Sequence, residues 1–228
     1  MESRREARSL AHLRRVGVYG GSFDPVHNGH LHVVRAARER FALDGVIFVP
    51  AARPPHKPKK QLASEADRLA MLELALEGWS DAWISTLEFE RAGPSYTYDT
   101  LRELPTRAGL ASDCALHLLI GWDNLRGLER WHRAETVLTL AQPIVVWREG
   151  GDEAVLAHLE RTLSPELFAR VERGLVRVPP APESSTDVRE RLERGEVPTD
   201  ALSPSVLEYI RSRGIYGLRA EPPESPKS

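Results

Sequence analysis

His27 and His30 stand three residues apart in GVYGGSFDPVHNGH (17–30), where a short apolar run gives way to two glycines and then to a helical pattern. At that spacing two imidazoles lie one helical turn apart and can point at a common anion. Gly20 and Gly21 carry no Cβ, so the backbone there can approach a ligand closely. A helix beginning near Gly29 would bring unpaired N–H groups and the positive end of its dipole to the same place. The combination reads as a phosphate site built from backbone and imidazoles. No GxxxxGK[ST] follows any strand, so it is not a lysine-centred phosphate loop. Two histidines could also hold a metal, but Asp24 is the only close carboxylate and HExxH is absent. A plainer reading stands beside these, with His27 as a turn residue and His30 as a capping donor.

The elements that must position these residues are legible as alternating patterns. RVGVYG (15–20), GVIFVP (45–50), ALHLLIG (115–121) and PIVVWR (143–148) read as strands, apolar on both faces. AWISTLEF (82–89) and LVRVP (175–179) are weaker candidates. After Gly29, residues Leu31, Val34, Ala37 and Phe41 share one helical face. SEADRLAMLELALEG offers Ser64 as N-cap, Asp67 three residues on and Gly78 as a stop. TYDTLREL, RAETVLTLA and DEAVLAHLERTL also read as helices. This alternation predicts an α/β fold, a doubly wound parallel sheet with helices on both faces. In such a sheet ligands bind beyond the carboxyl ends of the strands, where strand order reverses, and the segment 20–30 falls there. SSTDVRERLERGE and SPSVLEYIRSRG add two short C-terminal helices, opened by hydroxyl residues, as a small helical cap. The expected boundaries are an N-terminal extension (1–14), an α/β domain (15–183), a helical subdomain completing the nucleotide site (184–217) and a disordered tail (218–228).

Bulk properties narrow the class. A chain of 228 residues can bury a proper core, and a formal charge of −2 gives no basic excess for nucleic acid. The one cysteine, Cys114, has apolar neighbours and reads as a buried thiol. No apolar run is long enough to span a bilayer, and no apolar leader precedes the first strand. These features predict a cytoplasmic globular protein with neither a nucleic-acid nor a membrane partner. They leave monomer and homodimer both open.

GGSFDPVHNGH resembles the HxGH signature of the nucleotidyltransferase superfamily. PPHK (54–57), PSYTYDTL (94–101), GWDNL (121–125) followed by Trp131, SSTDVR (184–189) and the closing VLEYIRSRGIYG are similar, in order, to the successive motifs of bacterial nicotinate-nucleotide adenylyltransferases. Two positions depart from that pattern: Glu183 replaces an apolar residue before SST, and the bulky Trp122 follows Gly121. The resemblance implies a Rossmann-like nucleotidyltransferase fold and adenylyl transfer from ATP to nicotinate mononucleotide. Mg²⁺ would come with ATP, held mainly by the triphosphate and by no dedicated metal site.

Such a reaction needs little acid–base help, because the attacking phosphate is already anionic. The protein must align two phosphates and neutralise charge on the α-phosphate oxygens. Chemistry and resemblance together assign His30 to the α-phosphate and His27 to the ATP phosphates, with adjacent phosphates favouring protonated imidazoles. Gly20, Gly21, Ser22 and Phe23 would line the same site. Ser185, Thr186 and Arg189 would meet the ATP phosphates and adenine, Ser185 and Thr186 doubling as helix cap. Asp123 suits a ribose hydroxyl, with a plain N-cap as its alternative. For the acceptor, the resemblance places the pyridine ring on Trp131 and its carboxylate on backbone near Thr97 and His132. A core anchor is the alternative for Trp131. His56 and Lys57 would close a basic loop over phosphates, whereas Lys59 and Lys60 read as solvated.

Two other readings differ at identifiable points. The same transfer to nicotinamide mononucleotide differs by one charge on the ring substituent. A non-catalytic nucleotide sensor would be expected to have lost HxGH or the Ser/Thr/Arg element, and both are intact.

Overall fold

Strand Val/Ile/Leu runs that are apolar on both faces can be buried only in a sheet covered twice, and the chain builds one. The computed structural model describes residues 10–54, 62–148, 153–178 and 184–218. Most of the expected N-terminal extension, the basic loop with His56, Lys57, Lys59 and Lys60, Glu183, and the tail from 219 lie outside the described residues. Six strands are present among the described residues: β1 (Arg15–Gly21), β2 (Gly45–Pro50), β3 (Ala82–Ile84), β4 (Ala115–Gly121), β5 (Gln142–Arg148) and β6 (Leu175–Val178). All five pairings are parallel, in the order β3-β2-β1-β4-β5-β6. Order reverses between β1 and β4, which makes the carboxyl end of β1 the switch point of the sheet.

Ten helices accompany the strands among the described residues: α1 (Asn28–Phe41), α2 (Glu65–Ala75), α3 (Leu87–Glu90), α4 (Thr97–Arg107), α5 (Trp122–Leu125), α6 (Ala134–Leu140), α7 (Glu153–Thr162), α8 (Pro165–Arg173), α9 (Ser185–Glu193) and α10 (Pro204–Arg213). The chain divides into two compact units. The first, Met1–Ser22, Leu31–Lys60 and Gly78–Ala181, holds the whole sheet. Its core joins Val16, Val18, Ile47, Leu118, Ile120 and Val145 from the strands to Leu101, Leu104, Val137 and Leu159 from the helices. Gly17 keeps β1 close to its neighbours, since a Cβ there would come within 2.9 Å of Val46 and 3.1 Å of Leu119.

The second unit gathers three separated stretches, Phe23–His30, Gln61–Glu77 and Pro182–Ser228. Here α2 packs on α10, and α9 on the single 3₁₀ turn Ile215–Gly217. Buried Met71, Leu72, Val188, Leu192, Val206 and Ile210 supply its apolar interior. Hydroxyl caps start each helix: Ser64 accepts from the Asp67 N–H, Ser184 from Asp187 and Ser203 from Val206.

Three differences from the sequence expectation have local causes. AWISTLEF is strand only through Ile84. Ser85 makes one more bond to the Phe48 carbonyl, and the Thr86 carbonyl then accepts from Phe89 and Glu90 and starts α3. The cap of α9 is Ser184, so Ser185 and Thr186 lie inside the first turn with their hydroxyls free of capping duty. Helix α8 is not anticipated above, although Ser164, Pro165 and Gly174 are start and stop signals for it.

Candidate functional site

Strand β1 ends at Gly20 and Gly21, and these glycines with Ser22 form one wall of a cavity of about 180 Å³ in the first unit. An apolar cavity of roughly 150 Å³ holds benzene, so this space suits a single aromatic ring with a small substituent. A Cβ at Gly20 would meet no protein atom within 4 Å, which leaves that volume to a ligand. Opposite walls come from Ser95, Tyr96 and Thr97 and from Trp131 and His132. Thr97 is the first residue of α4, and Tyr96 at its cap makes no side-chain capping bond. The leading N–H groups of that helix are therefore donors for an anionic group in the cavity.

Trp131 serves two ends at once. It packs against the hydrophobic core and also lines the cavity. His132 leans on Tyr96, with ring centroids 4.6 Å apart, and meets the Tyr98 ring edge-on at 5.8 Å. The Tyr98 hydroxyl accepts from Arg133 at 2.7 Å and from Arg102 at 3.1 Å. Trp122 is buried in the same core, which absorbs its bulk. Asp123 lies in the first turn of α5 behind an N-cap at Gly121, so it is not the cap; its side chain is outside what the structure describes.

Glu88 was not among the residues singled out from sequence, yet it reaches the same cavity. It is 6 % exposed, and its Oε1 lies 2.5 Å from the Thr100 hydroxyl. Burial pushes its carboxyl above the usual carboxylate range, against the opposing effects of Thr100, Ser95 and Arg91. Ser95 itself is held by the Ala52 and Arg53 N–H groups, both at 3.1 Å.

The second unit carries the histidines. Phe23 is fully buried with a left-handed backbone, φ 47°, and α1 starts five residues later. The Asn28 N–H bonds to the Ala201 carbonyl at 2.7 Å and its side chain to the Asp200 carbonyl at 2.8 Å, which fixes the loop's end. His27 is buried and His30 half-buried, with ring centroids 3.8 Å apart. The His27 N–H donates to His30 Nδ1 at 3.2 Å. That bond makes Nδ1 an acceptor and puts the ring proton on Nε2, so a neutral imidazole already offers a donor. The protonated ring expected above would have to break this bond.

Asp24 is the centre of this unit's polar network, and its sequence gave only a weak hint of that role. It is 1 % exposed. Its Oδ1 accepts from the Tyr216 hydroxyl at 2.6 Å and the Ala63 N–H at 3.1 Å. Its main-chain carbonyl accepts from Arg189 Nη1 at 2.6 Å, and the same nitrogen lies 3.5 Å from Oδ2. Arg189 Nη2 reaches the Thr186 hydroxyl at 3.1 Å, and the Ser185 hydroxyl donates to the Pro25 carbonyl at 3.0 Å. Ser185, Thr186 and Arg189 are thus tied to the loop that carries His27 and His30, across about 160 residues of sequence. Arg68 is also fully buried; desolvation lowers the pKa of its guanidinium, and the charge of Asp24 opposes that fall. Glu65 acts on Arg68 in the same direction as Asp24.

Comparison with known proteins bears on this arrangement. The family model described as Cytidylyltransferase-like matches residues 18–191. The "Probable nicotinate-nucleotide adenylyltransferase" of Gloeobacter violaceus is 42 % identical over 90 % of this chain and 98 % of its own length. Its namesakes in Pseudomonas fluorescens and Dehalococcoides mccartyi are 39 % and 36 % identical, each over 89 % of this chain and 97 % of their own. This chain belongs to the nicotinate-nucleotide adenylyltransferase family. Its fold is that of the Plasmodium falciparum nicotinic acid mononucleotide adenylyltransferase solved with NaAD, at a TM-score of 0.66 and 18 % identity, covering 91 % of this chain and 100 % of that one.

As a family member the chain is a nucleotidyltransferase. The structure groups the expected acceptor residues Thr97, Trp131 and His132 in one cavity, with Gly20, Gly21 and Ser22 on its wall. His27, His30, Ser185, Thr186 and Arg189 all lie in the second unit. No helix among the described residues is long and apolar enough to cross a membrane.

Proposed function

We propose that this chain transfers the adenylyl group of ATP to nicotinate mononucleotide, giving nicotinate adenine dinucleotide and pyrophosphate. The observation that carries the reading is the cavity itself. Residues 95–97 and 131–132, far apart in sequence, enclose a ring-sized space at the uncapped head of α4. A pyridine ring would lie against Trp131, with its carboxylate toward the Thr97 N–H.

The mononucleotide phosphate oxygen attacks the α-phosphorus of ATP. One O–P bond forms, and the bond from the α-phosphorus to the α–β bridging oxygen breaks, its electron pair leaving on pyrophosphate. Since the nucleophile is ionised at neutral pH, no proton need be removed from it. His30 Nε2–H would donate to a non-bridging α-phosphate oxygen as charge builds there. His27, Ser185, Thr186 and Arg189 would hold the remaining ATP phosphates.

Among the described residues no group of three His, Cys, Asp or Glu side chains could hold a metal ion. Mg²⁺ would arrive on the triphosphate oxygens, where it would supply charge neutralisation. A cytoplasmic setting is part of the same proposal and accords with a single cysteine and hence no intramolecular disulfide.

The test is direct. Purified protein is incubated with ATP, Mg²⁺ and either mononucleotide, and products are identified by mass. Nicotinate adenine dinucleotide formed faster than its nicotinamide counterpart supports the reading. Faster reaction with nicotinamide mononucleotide reassigns the acceptor, and no dinucleotide from either overturns the transfer.

A further inference from the structure

Helix α4 begins at Thr97 without a capping side chain. Its first intrahelical bond runs from the Thr100 N–H to the Tyr96 carbonyl at 3.2 Å, and Tyr96 makes no side-chain capping bond. A helix start that keeps its donors for a ligand gives up the bonds that ordinarily fix it. Here the hold comes from outside the helix. Glu88, on the single turn α3, is buried and takes the hydroxyl of Thr100 at 2.5 Å and that of Ser95 as well. One carboxyl thus grips the chain on both sides of Thr97.

The bond from Thr100 is not the local default. A threonine inside a helix commonly turns its hydroxyl to the carbonyl four residues back. That carbonyl, of Tyr96, lies at 3.3 Å, and Glu88 is nearer. Ser95 extends the hold to the strands. Its oxygen accepts the Ala52 and Arg53 N–H groups at 3.1 Å each, and its own N–H donates to the Arg53 carbonyl at 3.0 Å. The Ala51 N–H donates in turn to the Gly21 carbonyl at 2.8 Å. These bonds join the end of β1 and the exit of β2 to the head of α4, around one cavity.

We propose, resting on the acceptor reading above, that Glu88 is a positioning residue: acting through Ser95 and Thr100 and not on the substrate itself, it sets the head of α4 where the Thr97 N–H meets the ring carboxylate of the acceptor. Its carboxyl is spent on the two hydroxyls, so its effect reaches the ligand only through the backbone it holds. Hydrogen bonds weaken steeply with misalignment, and a displacement of about 1 Å can cost on the order of 10²-fold. None of the residues assigned to ATP lies on α3 or α4, so the effect falls on one substrate. A carboxylate draws more from aligned N–H donors than a neutral carboxamide does, so the preference between acceptors depends on Glu88 too.

The experiment is steady-state kinetics with both mononucleotides on Thr100→Val, Thr100→Ser, Ser95→Ala and Glu88→Gln. Thr100→Val keeps the shape and loses the hydroxyl. Its KM for nicotinate mononucleotide should rise about tenfold and that for nicotinamide mononucleotide less, with kcat and the KM for ATP within about twofold. Ser95→Ala should do the same, and Thr100→Ser, which retains the hydroxyl, should restore the acceptor KM. Glu88→Gln replaces one acceptor oxygen by a donor, so it should raise the same KM, and Thr100→Val should add less in that background than alone. An acceptor KM unchanged in Thr100→Val overturns the proposal. So does a rise shared equally by ATP and both acceptors, which is what a merely loosened fold produces, or a Thr100→Ser variant that restores nothing. If Glu88→Gln fails to fold, the two Thr100 variants decide alone. No nicotinate adenine dinucleotide from the unmutated protein removes the acceptor reading and this proposal with it, whereas an active enzyme with indifferent variants removes this proposal alone.

Discussion

The Tyr216 hydroxyl donates to Asp24 Oδ1 at 2.6 Å, from a residue held in left-handed backbone at φ 55°. Few side chains adopt that conformation unaided, so neighbouring contacts must impose it. On the far side of the same aspartate, Arg189 bonds to the main-chain carbonyl and approaches Oδ2. A tyrosine near the end of the chain therefore acts on Arg189 through a carboxylate near its beginning.

That relay predicts non-additive kinetics. Tyr216→Phe removes one bond to a buried carboxylate, a change of about 1.5–3 kcal/mol at most, and should raise the KM for ATP several-fold. In an Arg189→Ala background the same substitution should have almost no further effect on that KM. Steady-state kinetics of the four proteins decides it; simple additivity would mean Tyr216 serves only the fold.

Arg189→Ala should weaken ATP more than the acceptor, and Arg189→Lys should restore only part of the loss. A guanidinium spans Asp24 and Thr186 with two nitrogens and still has donors for phosphate, whereas an ammonium is one compact charge. Full recovery of ATP affinity by lysine would refute the fork.

His30→Ala should lower kcat by about 10²–10³-fold while the KM for ATP changes far less. The imidazole meets charge that develops only in the transition state, so its loss falls on turnover. If kcat held and ATP binding weakened, His30 would be a simple binding residue.

Trp131→Ala should weaken nicotinate and nicotinamide mononucleotides together. Stacking on an aromatic is worth roughly 1–3 kcal/mol, or between about fivefold and 150-fold in KM, and it does not distinguish the two substituents. A collapse of the preference in this variant would place selectivity on the indole rather than on the head of α4.

Acid stability should depend on Asp67. Its carboxylate takes bonds from Ser64 at 2.6 Å, Tyr209 at 2.9 Å and Arg213 at 3.2 Å, which hold its pKa below the ordinary value. A depressed folded pKa contributes stability that is present above the unfolded value of about 3.9 and is lost as pH falls through the folded one. Asp67→Asn should therefore melt lower than the unmutated protein near neutrality. The gap should narrow as pH drops below about 4. A gap independent of pH in thermal melts would show that charge is not the cause.

Much of this protein was legible along the chain, because local patterns carry local physics. Apolar runs that occupy both faces announced β1, β2, β4 and β5 nearly to the residue, and hydroxyl-first helices announced α2 and α10. The HxGH stretch stood out since two glycines and two imidazoles at a strand-to-helix junction have few uses besides an anion. What the sequence could not reveal were partnerships across distance. Glu88 sits in a segment that reads as a strand, and only the turn into α3 brings its carboxyl to the cavity beside Thr100. Asp24 looks like a loop acid until Tyr216, Ala63 and Arg189 converge on it from three separated stretches. Residue type and spacing determine which elements form, but a buried charge takes its role from the groups that replace water around it, and those are chosen by tertiary packing.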